Sequence, residues 1–240
     1  MIGTLLNVAG ILVGGVIGLA RRGPVSPARE SFFRVVLGVF AVFYGLRLTW
    51  LSLNGSAGQI TKEVIIAIVA MMLGRVTGRF LCLQTLSNHL GQVARTAIAE
   101  ARPGDPARVG AGFKTAAALY CAAPLGILGS LQDGLTHYAY PLGVKALMDG
   151  LATMGFVPVF GWGVMLAALP VLAVQGTITL LSAHLLEPFL RAHSLLDSVN
   201  AVGGLLVFSV ALVILGIKKL ALTDYLPSLI FAPLITWLWH

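Results

Sequence analysis

The sequence predicts an all-α, polytopic transmembrane helical bundle with about eight spans. Three observations carry that expectation. Hydrophobic residues make up 58% of the 240 and charged residues only 10%, against about 25% charged in an ordinary soluble domain. Mean hydropathy is +0.92. Apolar runs near the roughly 20 residues that a spanning helix needs recur along the chain. So few charges cannot cover a water-facing surface, which excludes a soluble globular enzyme. High apolar content excludes a disordered chain.

Taken in order, the candidate spans are 2–20, 32–52, 63–83, 111–131, 142–157, 160–185, 199–217 and 224–239. The first opens without a positive leader region, and its charges, Arg21 and Arg22, follow the apolar run; it reads as a mature helix rather than a cleaved signal. Gly10, Gly14 and Gly18 form consecutive GxxxG units on it, and Gly74 with Gly78 forms another on the third span. These let backbones approach closely, within the chain or in a homo-oligomer. The fifth and eighth spans are short, and the sixth is long enough to tilt. Between the third and fourth lies one sizeable loop, 84–110, read as cytoplasmic, with an interfacial helix in its first part and a break at Pro103 to Pro106. The whole chain, 1–240, reads as a single integral membrane domain.

Basic residues set the orientation. Arg21, Arg22, Arg29, Arg34, Arg75, Arg79, Arg95, Arg102, Arg108, Lys114, Lys218 and Lys219 fall on one side, which is then cytoplasmic; Arg47, Lys62 and Arg191 fall on the other. Both termini are expected outside the cytoplasm. The net charge of +7 therefore marks membrane sidedness rather than a nucleic-acid partner. Cys82 and Cys121 stand apart without a CxxC, so no disulfide or zinc framework is expected. His137, His184 and His193 lie toward the outer edge without metal-ligand spacing. No nucleotide-binding loop, nucleophile elbow or metalloprotease motif is present. Neither catalysis nor a cofactor is expected.

Two stretches resemble each other. Arg34-VVLGVFAVFYGLRL-Thr49 can be laid on Leu205-LVFSVALVILGIKKL-Ala221, with Gly45 on Gly216. Ile60-TKEV and Leu222-TDYL both open a further span, and Gly3-TLL and Gly163-VML each open one upstream. Spans 1–3 (residues 1–83) then repeat in spans 6–8 (160–240) with opposite sidedness. Inverted repeats of this kind are characteristic of secondary transporters. The linker, 111–159, is rich in Gly and Pro and is expected to hold a pair of broken or re-entrant helices, tolerated only where protein or a cavity covers the backbone. It contains two similar turns, Leu131-QDG and Leu147-MDG.

Ionisable residues inside spans are costly and mark candidate sites. Lys145 and Asp149 are four apart, so a helix places them on one face, where they can pair. Asp133 sits in the preceding turn, and a hairpin would bring both carboxylates toward one polar cavity, with Gln132 supplying amide groups. The bland alternative is an interfacial pair whose lysine snorkels to the surface. Asn7, Gln175, Thr177 and Asn200 are the remaining polar side chains in spans. They serve helix-to-helix hydrogen bonding or line a cavity.

The segments Met1-IGTLLNVAGILVGGVIGL, Gly126-ILGSLQDG, Lys145-ALMDGLATM, Asn200-AVGGLLVF, Leu215-GIKKL and Leu226-PSLIFAPL resemble the bacterial domain of unknown function 554 family (YqgA/YdfK-like). The resemblance covers essentially the whole chain. It implies a multi-pass protein of the bacterial cytoplasmic (inner) membrane with transport as the expected role. It also implies that the acid–Gly turn, here Asp133-Gly134, and the Lys145, Asp149 pair belong to the family pattern. Ala146 stands where members often have Ser, which removes no ionisable group.

The expectation is a secondary transporter or channel-like protein, in contact with membrane lipids, for a small ion or polar metabolite. Asp133, Lys145 and Asp149 are its central cluster, and two carboxylates favour a cation over an anion. A lipid flippase would instead need Lys145, Arg47 or Arg79 around an anionic head group. A scaffold or sensor would have a packed centre with no cavity.

Overall fold

The computed structural model describes residues 1–21, 26–101 and 107–239. Arg22, Arg102 and the expected Pro103–Pro106 break lie outside them. All regular structure among the described residues is helical. Helices α1 (Ile2–Ala20), α2 (Pro27–Ser52) and α3 (Ala57–Phe80) form the first three crossings. Ser26 caps α2, accepting from the Arg29 amide, and Pro27 occupies its first turn, where a missing N–H costs nothing. Ser56 and Gln59 form a capping box on α3. The first part of the 84–110 stretch, where an interfacial helix is expected, is helix α4 (Leu83–Glu100), bent by 58° from α3.

The fourth span breaks, as the linker composition predicts, but inside the run 111–131. α5 (Ala107–Ala122) and α6 (Pro124–Thr136) meet at 56°. Pro124 has no N–H to give to the preceding turn and its ring crowds that turn's carbonyl, so α5 must stop there and α6 restart. α7 (Tyr140–Phe160) returns as one continuous helix. The sixth crossing is a 31-residue run, Trp162–Ala192. It starts as a 3-10 turn, continues as α8 (Ala168–Leu181), passes a π-turn at Ser182–Leu186 and ends as α9 (Glu187–Ala192). α10 (Leu196–Ile214) and the short α11 (Ser228–Leu238) complete the chain. Among the described residues, five helices are long and apolar enough to cross a membrane alone, and up to seven if each bent pair is one span; Leu222–Leu238 is a shorter apolar helix. Eight crossings are expected from the sequence; length and composition among the described residues support five to seven.

Lipid tails are as apolar as leucine, so burying apolar surface does not hold such helices together; close packing of small residues does. α1 runs parallel to α7, with Gly10, Gly14 and Gly18 against Ala146, Gly150 and Met154. A Cβ on Gly14 would lie 2.1 Å from the Gly150 carbonyl oxygen, so no larger residue fits there. α6 likewise runs parallel to α8, with Gly126 at Gln175 and Gly134 at Ser182, whereas three further contacts are antiparallel. α2 crosses α10 at Gly45 and Gly204, α3 crosses α11 at Gly74 and Ser228, and α1 meets α8 where Thr4 faces Thr179. Leu5, Leu12, Val16, Met72 and Val76 point outward. In water they would make a large sticky patch; here they are the lipid face.

Candidate functional site

Asp149 lies at the middle of the 21-residue α7, and Lys145 one turn before it. Both are buried, at 6% and 2% exposure. Lys145 Nζ donates to both carboxylate oxygens, at 2.8 and 2.6 Å. The pair is therefore inward and intramembrane rather than a snorkelling surface pair. Around it, α1 contributes Asn7, whose amide donates to Asp149 (3.1 Å) and to Gln175 of α8 (3.2 Å). α5 contributes Tyr120, whose ring centroid lies 5.7 Å from Lys145 Nζ. This is a cation–π contact that partly replaces lost hydration. The Tyr120 hydroxyl meets Thr153 at 2.8 Å, and Thr153 itself donates to the Asp149 carbonyl. Four helices thus converge on one ion pair.

Two hydrogen-bonding atoms in this cluster stay unused. Asn7 Oδ1 and Gln175 Nε2 are buried with no partner among the described residues. A Cβ on Gly126, just past the α5–α6 break, would lie 2.9 Å from Lys145 Cε and 3.1 Å from Gln175 Nε2. Glycine at 126 therefore leaves the space these groups occupy.

Lys145 and Asp149 form part of the wall of a cavity of about 1120 Å³. The cavity follows α7 from Lys145 to Val159, about 21 Å at 1.5 Å per residue. Its other walls come from the first half of α2, the α5–α6 break and the last part of α10. Arg21, Glu30 and Arg34 line its far end, beside the basic face. Toward the opposite face the same two helices, α2 and α7, are closed by aromatics. Tyr44 stacks on Tyr140 at 4.1 Å, Tyr138 packs edge-on to both, and Arg47 sits 5.9 Å over Tyr140. The Tyr138 hydroxyl donates to the Tyr44 carbonyl at 2.8 Å. Burial pushes its phenol up to about 12, so at neutral pH it remains a proton donor.

The other expected site residues separate from this group. Asp133 is buried at the end of α6 and accepts from the Gly3 amide at 3.0 Å, with the Met1 amino group at 3.1 Å. It binds α1 one turn before Asn7 and does not line the cavity. The hairpin forms, but the two carboxylates take different partners. Gln132 is fully buried against Gly203 of α10, and its amide atoms have no partner among the described residues. Asn200 is buried on α10 with Oδ1 likewise unpartnered. Arg47 belongs to the aromatic closure, and Arg79 does not reach the cavity.

Thr179, singled out with Gln175 and Thr177, meets Thr4 at 3.2 Å, whereas Tyr120, Thr153, Thr4 and the Arg21, Arg34 end were not singled out from sequence. Thr153 alone carried a signal, four residues beyond Asp149 on the same face. No three His, Cys, Asp or Glu side chains converge on a metal position among the described residues.

These features define an all-α integral membrane protein with a buried charged pair exposed to an internal cavity. The chain belongs to the family described as protein of unknown function (DUF554), whose pattern matches residues 2–237. It is 29% identical over 242 residues to the uncharacterized membrane protein YdfK of Bacillus subtilis (strain 168), covering all of this chain and 97% of YdfK. It is 27% identical over 245 residues to the uncharacterized protein YqgA of Escherichia coli (strain K12), again covering all of this chain and 97% of the relative. No solved structure matches it.

Proposed function

We propose that the chain is a secondary transporter of the bacterial cytoplasmic membrane, working by alternating access. One observation carries this reading. The cavity reaches the buried Lys145–Asp149 pair from the basic end, while the Tyr44, Tyr138, Tyr140 cluster closes the opposite end between the same helices. A wide vestibule on one side and a thin aromatic plug on the other is the form of a carrier resting open to one face. A packed centre, as a scaffold would have, does not fit.

The inverted repeat belongs to the same proposal. The candidate counterparts α1 and α8, α2 and α10, α3 and α11 each cross antiparallel at small or hydroxyl residues. An in-plane two-fold axis between two such repeats brings counterparts together in this way. The expected Gly45–Gly216 correspondence finds less support. Gly45 lies inside α2, whereas Gly216 follows α10 in a turn at φ +71.

Access is the test. Cys82 and Cys121 are replaced, and Ala152→Cys is introduced in the cavity wall of the full chain in oriented membrane vesicles. An impermeant maleimide applied at the basic face is expected to label it, and applied at the opposite face to label it more slowly. Equal rates from both faces describe a channel, and no labelling from either describes a closed scaffold; each overturns the carrier reading.

A further inference from the structure

We propose that this cavity takes an amphipathic organic anion, one negative head group on an apolar body, and takes it together with one proton that comes to rest on Asp149. The inference rests on the transporter reading and names its substrate class and coupling.

The walls supply the first argument. Phe33, Leu37, Leu125, Met148, Phe156 and Val210 present hydrocarbon and aromatic surface over most of the cavity's length. A bare cation is held by a compact shell of oxygens, and these walls are not one. Ligand pockets for organic molecules are apolar with a few placed polar groups. Among the described residues, charges stand at the two ends: Arg21, Glu30 and Arg34 at the basic face, Lys145 and Asp149 inside. Glu30 and Arg34 pair with each other at 3.1 Å at the exposed end, so the buried cation that the cavity offers to an incoming charge is Lys145. Two carboxylates in the linker suggested a cation, but Asp133 is absent from this wall.

Charge conservation supplies the second. Lys145 and Asp149 are neutral together, and an unpaired charge added to a buried site is severely penalised. An arriving carboxylate therefore binds at Lys145 only if Asp149 is neutralised. The exchange is balanced: the substrate anion replaces Asp149 on the Lys145 ammonium, Asp149 leaves that contact, and one proton from solution bonds to the Asp149 carboxylate. Lys145 keeps its proton, no bond of the substrate changes, and the site gains no net charge.

The two unpartnered atoms supply the third. Once protonated, Asp149 is a donor needing an acceptor, and Asn7 Oδ1, beside it on α1, is free to accept. The head group brings oxygens needing donors, and Gln175 Nε2 is free to donate next to Lys145 Cε. The pair in its present form leaves both capacities idle, and buried polar atoms without partners are uncommon. The titratable groups facing Asp149 are Lys145 on its own helix and Tyr120 and Cys121 from α5. Among the described residues, α1, α6 and α8 face the pair with Asn7, Gly126 and Gln175.

The experiment is calorimetric titration of octanoate into the full chain in a nonionic detergent, run in two buffers of different ionisation enthalpy, with octylammonium and octanol as charge controls. Octanoate is expected to bind with uptake of about one proton, its affinity falling about tenfold per pH unit of rise, as one linked proton requires. Asp149→Asn, which imitates the protonated acid, is expected to keep octanoate binding but lose both proton uptake and pH dependence. Lys145→Gln is expected to lose binding, with Lys145→Gln/Asp149→Asn as the variant that restores charge balance if the single change fails to fold.

Preference for octylammonium, equal binding of octanol, or octanoate binding without proton uptake each overturns the proposal. Phosphatidylcholine vesicles doped with oleate separate the two sources of such an anion. Competition by oleate with octanoate assigns the site to membrane-borne anions, and its absence to soluble ones; both uphold the class. Proton-linked binding without acidification of proteoliposomes faster than that of protein-free liposomes given the same octanoate upholds the site and sinks the transporter reading alone.

Discussion

Asp133 and Asp149 sit in nearly the same local sequence, Leu-Gln-Asp-Gly and Leu-Met-Asp-Gly, and end in different chemistry. In each turn the glycine after the acid is where another helix comes close, α8 at Gly134 and α1 at Gly150. In each the carboxylate is buried and reaches a group on α1. Asp133, however, meets backbone and terminal nitrogen and is enclosed, whereas Asp149 meets a lysine side chain and faces a cavity. The difference teaches what makes a buried carboxylate available for exchange. It needs a partner that can be traded for another charge, and space from which the other charge arrives. Asp133 has neither and acts as a latch between α6 and the start of α1.

The largest break in that comparison comes from Lys145. Lys145→Met leaves the Asp149 carboxylate buried without a cation, and loss of one partner of a buried pair costs about 3–5 kcal/mol. Lys145→Met/Asp149→Leu removes both charges and is expected to recover most of that loss in detergent denaturation, while solute binding stays absent. Equal stability of the single and double variants shows that the ion pair is not coupled as described.

The glycines come next. A Cβ at 134 would lie 2.4 Å from the Thr179 carbonyl oxygen, and one at 150 would lie 2.8 Å from that of Gly10. Gly134→Ala and Gly150→Ala each force helices apart, at about 1–3 kcal/mol, with the larger loss at 134. Only Gly150→Ala is expected to weaken ligand binding as well, because it displaces the residue next to Asp149. Gly143→Ala, where a Cβ meets nothing within 4 Å, is expected to stay within about 0.5 kcal/mol of the parent. Comparable melting losses at 143 and 134 remove the packing argument.

Much of this was legible in the sequence because bilayers impose length and patterning. The apolar runs gave the long apolar helices, and i,i+4 spacing placed Lys145 on Asp149. The break near 123 followed from Gly and Pro content, though its place inside the run 111–131 needed Pro124 to outweigh hydropathy. What stayed hidden depends on approach between distant segments. Hydropathy counts Tyr44, Tyr138 and Tyr140 alike as apolar or interfacial, and nothing in their spacing says that they stack. Nor does Asp133 carry a mark separating it from Asp149, since its partners are main-chain and terminal nitrogens that motif reading does not weigh. The same blindness hid the cavity, which is a property of where α2 and α7 fail to fill space.

Asp133→Asn sharpens the comparison at smaller cost. An amide oxygen can still accept from the Gly3 N–H, but the ionic contact with the Met1 amine is lost. A hydrogen bond to a charged group contributes about 1.5–3 kcal/mol and a neutral one about 0.5–1.5, so the expected loss is about 1–2 kcal/mol. Proton uptake on octanoate binding should be unchanged. If Asp133→Asn abolished that uptake while Asp149→Asn did not, the roles assigned to the two turns would be reversed.

The smallest effect is expected at the closed end. Tyr138→Phe removes one hydroxyl, the donor to the Tyr44 carbonyl, and keeps the ring that packs on Tyr140. One neutral hydrogen bond is a matter of about 0.5–1.5 kcal/mol, too little to unfold the chain but enough to shift a two-state equilibrium several-fold. The closure should therefore open more often, and Ala152→Cys should become more reactive from the opposite face and less from the basic face. The reciprocal change is the decisive part. A variant that gains labelling at one face without losing it at the other has loosened a wall, whereas an exchange of accessibility means that the aromatic cluster and the cavity are two faces of one moving contact between α2 and α7.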